Sequence, residues 1–221
     1  MKFYFDGDSF TYGGGLKKIG IVPEDVRWSR ILCDHFGAEE INLATGGASN
    51  DRVMRHLLDD PSEVYDFYFL QLTISNRSEF YDTKKKKWVR YAYSPDYTHH
   101  KRWASRGLEE GRKFREWIDF GMRRIYNDHY GKTKENITYN ALKSYVASVG
   151  RSKKSFFSTL LLPELTDNKY DLHFLGKRQL VYECIPNDGH PSVKGHKTIA
   201  KHVIDIVKER LFIDIDPKYY S

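Results

Sequence analysis

With 221 residues, 40% of them hydrophobic and 30% charged, the chain is long enough to fill one core and too apolar to stay disordered. Its 36 basic and 30 acidic residues leave a net charge of +6, much of it local to residues 84–87 and 99–115, which reads as a solvated loop face; a nucleic-acid partner is not expected. Two cysteines, Cys33 and Cys184, exclude a disulfide framework and a Cys-x-x-Cys site, and no stretch approaches the roughly 18 apolar residues of a membrane span.

Residues 2–5, Lys-Phe-Tyr-Phe, form a short aromatic run that reads as a buried strand and breaks at Asp6-Gly7-Asp8-Ser9. Because the chain enters this strand directly, no signal peptide is expected and a soluble cytoplasmic product is, with association with a virus particle left open. Both cysteines are expected to be buried thiols. Residues 10–22, with Gly13-Gly14-Gly15, read as a loop; Pro23-Glu24-Asp25 then has the composition of a helix start, and Gly37 ends a helix over 23–36. A strand is expected at 41–43, a helix capped by Ser49 over 50–58, and a strand buried on both faces at 67–72.

The region from 78 to about 104 is aromatic, basic and poorly periodic, and residues 88–93 could supply one strand of a hairpin. It reads as an insertion serving as a lid or substrate platform, with Trp88 and Tyr91 as candidates to stack on a sugar ring. Two helices follow, one carrying Leu108, Trp117, Ile118, Met122 and Ile125, the other Ile137, Leu142, Tyr145, Val146 and Val149. Residues 156–162 predict a fourth strand ended by Pro163, residues 180–182 a fifth, and a last helix starts after Ser192. Strands alternating with helices imply a mainly parallel sheet with helices on both faces.

Chemistry is expected at both ends. A serine presented after a strand becomes a nucleophile only if a base lies within hydrogen-bond reach, and His190, in Asn187-Asp188-Gly189-His190-Pro191, is available at the far end. Gly7-Asp8-Ser9, the Gly46-Gly47 loop after the second strand, and this histidine segment together resemble the SGNH (GDSL-type) hydrolase family. The resemblance implies one domain over 1–221, with a three-layer α/β/α fold around a flavodoxin-like five-stranded sheet. It also implies acyl transfer from a small-molecule or carbohydrate ester to Ser9, with His190 as base and no cofactor or metal. The oxyanion would be held by the backbone N–H groups of Ser9 and Gly47 and by a third donor.

Two blocks depart from that family's pattern. Where a Gly-x-Asn-Asp block would follow the third strand, the chain reads Thr73-Ile74-Ser75-Asn76, so either Thr73 or Asn76 could be the third donor. The orienting acid is expected three places before the histidine, at Asn187, while Asp188 stands one place closer; only Asp188 can balance an imidazolium charge. His196 reads as a surface or capping residue. Two alternatives stand beside the esterase. Asp6-Gly7-Asp8 also resembles the opening of magnesium-dependent haloacid dehalogenase-like phosphatases, with Asp6 as nucleophile and Asp8 as acid/base. A chain with two altered blocks could instead be a binding or structural protein on a hydrolase scaffold.

Overall fold

The computed structural model describes residues 1–59, 64–92, 108–121, 124, 128–151, 154–160, 169–174 and 182–212. Its strands are β1 (Lys2–Asp6), β2 (Glu39–Asn42), β3 (Phe67–Leu72), a hairpin of β4 (Arg77–Asp82) and β5 (Lys87–Ala92), then β6 (Ser155–Thr159) and β7 (Leu172–His173). Five of them form a parallel sheet in the order β2-β1-β3-β6-β7. This is the flavodoxin-like order, in which the central strands run toward one crevice at their carboxyl ends.

The central strands are apolar at nearly every position because each face has its own helical layer. Phe3, Phe5, Phe67, Phe69 and Phe156 point to one side, against Trp28 and Leu32 of α3 (Trp28–Phe36) and Ile199, Val203 and Val207 of α7 (Val193–Phe212). Tyr4, Tyr68, Leu70 and Phe157 point to the other. There they meet Val53 and Leu57 of α4 (Asn50–Asp59) and Tyr139, Leu142 and Val146 of α6 (Asp128–Ser148). Alternation at period two therefore fills two cores from one set of strands. Among the described residues, no helix is long and apolar enough to cross a membrane.

Several expectations need correction. The loop at 10–22 contains a short helix, α1 (Ser9–Tyr12), and a 3-10 turn at Leu16–Ile19. The single helix over 23–36 is two, α2 (Pro23–Val26) and α3, because Arg27 adopts an extended conformation at φ −64°, ψ 151°. The break leaves the Trp28 N–H without a helical acceptor, and His196 Nδ1 accepts it at 3.3 Å. The fifth strand is Leu172–His173 rather than 180–182; Tyr182 lies outside any strand, and Leu180, Val181 and residues 161–163 fall outside the described residues. Met122, Ile125 and Tyr93 also fall outside them. Ile118 of α5 (Leu108–Phe120) is buried as its stripe predicts, but Trp117 of the same stripe is 39% exposed and Ile137 of α6 is 63% exposed. Cys33 is buried while Cys184 is exposed, against the expectation of two buried thiols.

Candidate active site

Ser9 follows the carboxyl end of β1, where Asp8 caps α1 by accepting the Phe10 N–H at 3.1 Å. One turn therefore both caps α1 and presents the Ser9 hydroxyl. The turn requires glycine at position 7: a Cβ there would lie 2.5 Å from the Gln71 Cβ on β3. Asp8 is wholly buried and takes three further donors. Gln71 Nε2 lies 2.6 Å from Oδ1, and Thr73 Oγ1 and Arg77 Nη1 lie 2.9 and 2.7 Å from Oδ2. Four hydrogen bonds, one from a guanidinium, hold the carboxylate in place and leave Ser9 half-buried beside it.

The carboxy-terminal segment arrives across the same end of the sheet. A turn in which Asp188 N–H donates to the Ile185 carbonyl, and Ile185 N–H to the His190 carbonyl, sets the loop ahead of α7. The His190 ring packs against Phe10, with centroids 5.3 Å apart. Its Nδ1 is hydrogen-bonded to Asp188 Oδ1, and Asp188 Oδ2 accepts from Lys18 Nζ at 2.5 Å. The Lys18 hydrogen bond and then that of His190 hold the Asp188 carboxyl down to about 2. Asn187 is exposed, with a left-handed backbone at φ 60°, in the turn that brings Asp188 to the ring.

Gly14 measures how Ser9 and His190 meet. A methyl group built on it would lie 2.8 Å from the Ser9 Cβ and 2.9 Å from His190 Nε2. The serine and the imidazole thus face one another across a single α-carbon, with Nε2 on the serine side and Nδ1 on the carboxylate side. That orientation suits a neutral ring that donates from Nδ1 to Asp188 and offers the Nε2 lone pair to a hydroxyl.

The glycine loop after β2 lines the other flank. Thr45 N–H donates to the Gly7 carbonyl at 3.1 Å, tying this loop to the turn that carries Ser9. Gly46 is the nearer glycine, a Cβ on it lying 4.0 Å from the Ser9 Cβ, while Gly47 follows at φ 70°. The Gly46 carbonyl accepts from Arg90 Nη1 of β5. Thr73 is not free to donate to a substrate: its hydroxyl is given to Asp8 and its N–H to Asn50 Oδ1 at 2.7 Å. Asn76 stands part-buried in the turn before β4.

The other sequence candidates separate. Trp88 is 45% exposed, with Arg55 over one face at 4.5 Å, on the hairpin face that also carries Arg90. Tyr91 lies on the opposite face, packed with Phe80 and Trp117. The lysine run is the hairpin tip, where Asp82 Oδ1 accepts the N–H groups of Lys84 and Lys85. Asp6 and Asp8 do not share an open site. Asp6 is wholly buried, held by Arg52 at 3.1 Å, His56 at 2.8 Å and the Gly7 N–H at 2.8 Å, so it is spoken for as a nucleophile or metal ligand. Among the described residues, no group of three or more His, Cys, Asp or Glu could hold a metal ion.

His196 is wholly buried, not on the surface. Burial, then the nearby His190 and Arg27, push its ring down to about 4, so it stays neutral near pH 7. Sequence reading also passed over Lys18, Gln71, Arg77 and Arg90. Nothing local marks them, since each acts on a residue far away in the chain.

No protein-family model matches the sequence, and no curated protein matches it. Some solved structures resemble the chain at low identity. A psychrotrophic esterase, EstA, from Pseudoalteromonas sp. is 13% identical with a TM-score of 0.49, the match covering 95% of this chain and 98% of that one. A member of the lipolytic G-D-S-L family from Veillonella parvula is 12% identical with a TM-score of 0.49, over 94% and 98%. An acetyl xylan esterase, Est2A, from Butyrivibrio proteoclasticus is 14% identical with a TM-score of 0.48, over 95% of this chain and 64% of that one.

Proposed function

We propose that the chain hydrolyses a carboxylic ester through an acyl-serine intermediate. The observation that carries this reading is the alignment of Ser9, His190 Nε2 and the Nδ1-to-Asp188 hydrogen bond around Gly14. His190 takes the hydroxyl proton as Ser9 Oγ adds to the ester carbonyl, then gives it to the departing alcohol oxygen. Water repeats the sequence on the acyl-enzyme, releasing a carboxylate and restoring the serine. Asp188 keeps the ring in the Nδ1–H tautomer and balances the imidazolium that forms. Asn187 has no part in this.

The oxyanion donors in this reading are the backbone N–H groups of Ser9 and Gly47. With Thr73 committed to Asp8 and Asn50, Asn76 is the remaining side-chain candidate of the two. One missing donor costs about 3 kcal/mol in the transition state, so turnover is expected to be modest if Asn76 does not serve. A small acyl group on a carbohydrate is the proposed substrate class, with exposed Trp88 as the sugar-stacking surface; Tyr91, turned into the aromatic cluster, does not fill that role.

The test is hydrolysis of p-nitrophenyl acetate by the wild type and Ser9→Ala, with fluorophosphonate labelling of Ser9. The substitution should lower kcat by at least about 1,000-fold and abolish labelling, with the fold intact. Equal rates in the two proteins would overturn the reading. The engagement of Thr73 favours a second reading, a binding protein on this scaffold, which predicts neither turnover nor labelling in the wild type.

A further inference from the structure

The loop leaving α1 belongs to the nucleophile's segment, yet it touches the base. Gly14 occupies the space between Ser9 and His190, and Gly15 closes on the acid: a Cβ there would lie 2.7 Å from Asp188 Oδ1 and 2.9 Å from Ile185 Cδ1. Three residues on, Lys18 holds Asp188 Oδ2, the oxygen that His190 does not use. One short stretch thus contacts both members of the His190–Asp188 pair. The Gly14 N–H donates to the Ser9 carbonyl at 2.6 Å, which fixes the stretch to the nucleophile itself.

We infer that residues 14–18 form a strap that positions the base against the nucleophile, Gly14 by leaving the gap that Ser9 and His190 share, and Lys18 by locking the outer oxygen of Asp188. The inference rests on the proposed acyl-serine reading and adds positioning residues to it. Gly14 acts by absence of bulk. Its backbone lies outside the left-handed region, so alanine would not strain the chain; only space is at issue. The Ser9 Cβ is tied to the backbone, whereas the threatened His190 atoms, Cδ2 and Nε2, sit at the free end of a side chain. A methyl group at position 14 is relieved on the His190 side by the imidazole swinging away from Ser9, and on the Ser9 side only by a small shift of the backbone that carries the serine. Neither Ser9 nor His190 belongs to the two cores, so the sheet and its layers stay while the proton transfer is lost.

Lys18 works differently. Its side chain is 73% exposed while that of Asp188 is 9% exposed, so the pair reaches from solvent onto a carboxylate that His190 also needs. With both oxygens engaged, the carboxylate cannot rotate, and the ring it holds cannot either. Exposed ion pairs are screened by salt, so the lock has a signature that packing lacks.

The experiment measures kcat and KM for p-nitrophenyl acetate, and fluorophosphonate labelling rates, in wild type, Ser9→Ala, Gly14→Ala, Lys18→Met and Lys18→Arg. Gly14→Ala should lose about 100-fold in kcat and in labelling rate, with KM within about twofold and a melting temperature lowered by only a few degrees, the cost of an ångström-scale misplacement. Lys18→Met should lose about threefold in kcat, Lys18→Arg should recover it, and 0.5 M salt should bring the wild type toward Lys18→Met while leaving that variant unaffected. Serine-dependent turnover with Gly14→Ala within about threefold of wild type would overturn the strap and leave the acyl-serine reading standing. Equal turnover by wild type and Ser9→Ala would overturn the reading itself. If Gly14→Ala melts early, the Lys18 series decides: absence of both the arginine rescue and the salt response overturns the strap.

Discussion

The two segments that meet at the site are secured in opposite ways. On the Ser9 side, Asp8 lies wholly buried with four hydrogen-bond donors from α1, from β3 and the residue after it, and from β4. On the base side, His196, one turn into α7, is equally buried, yet its Nδ1 accepts one N–H and its Nε2 has no partner among the described residues. A buried charge met by four donors is rigid; a buried imidazole with one partner stays only while it is neutral. The serine is thus built into the sheet, and the histidine is delivered by a segment whose own anchor can be released.

The first way to break this contrast is to remove a donor from the secure side. Arg77→Met leaves Asp8 as a buried carboxylate without its cation, and stability should fall by about 3 kcal/mol in chemical denaturation, the lower end for a broken buried pair because Arg77 is partly exposed. A loss below about 1 kcal/mol would mean that Gln71, Thr73 and the Phe10 N–H suffice without charge.

The base side should break by pH instead. In the folded chain His196 protonates near 4, against about 6.5 when unfolded, so between those values the unfolded chain binds more protons and stability falls as pH falls. The window is worth about 3 kcal/mol at most. His196→Asn keeps an acceptor for the Trp28 N–H but does not titrate. Its stability at pH 7 should be lower, and its loss between pH 6.5 and 4 should be smaller than that of wild type. Parallel curves for the two proteins would show that His196 does not release the segment.

The same contrast explains what could be read from the chain. Aromatic runs at 2–5 and 67–72 reveal buried central strands because both faces of such strands are apolar, and Gly7-Asp8-Ser9 marks a turn because only glycine fits against Gln71. Those signals are local. The fifth strand was misplaced because Leu172–His173 is two residues long, too short to have a pattern. The break at Arg27 has no local mark because the group that takes the freed Trp28 N–H, His196, lies 168 residues further along the chain. Asp188 could be preferred to Asn187 on charge alone, but Thr73 could be removed as a donor only once Asp8 and Asn50 were seen to claim it.

Thr73 offers a smaller, sharper test of the secure side. Thr73→Val removes one hydroxyl from Asp8 and should cost about 1–2 kcal/mol of stability while leaving kcat within about threefold. A large loss of kcat with unchanged stability would make Thr73 an oxyanion donor after all, at odds with its geometry.

The smallest effect concerns the link between the hairpin and the glycine loop. A trans peptide is planar, so its C=O and N–H point in opposite directions, and whatever holds the Gly46 carbonyl also aims the Gly47 N–H. Arg90 holds that carbonyl from β5, next to Glu79 on the paired strand, whose carboxylate is bound by Arg55. Arg90→Met frees a glycine–glycine peptide to flip. The expected loss is about tenfold in kcat with little change in KM, a fraction of what deleting a donor outright costs, and Arg90→Lys should recover part of it because an ammonium can reach the same oxygen. A rise in KM with kcat unchanged would instead make the hairpin a substrate-binding surface. The pair of parameters therefore separates a device that aims a backbone dipole from a lid that grips the ligand.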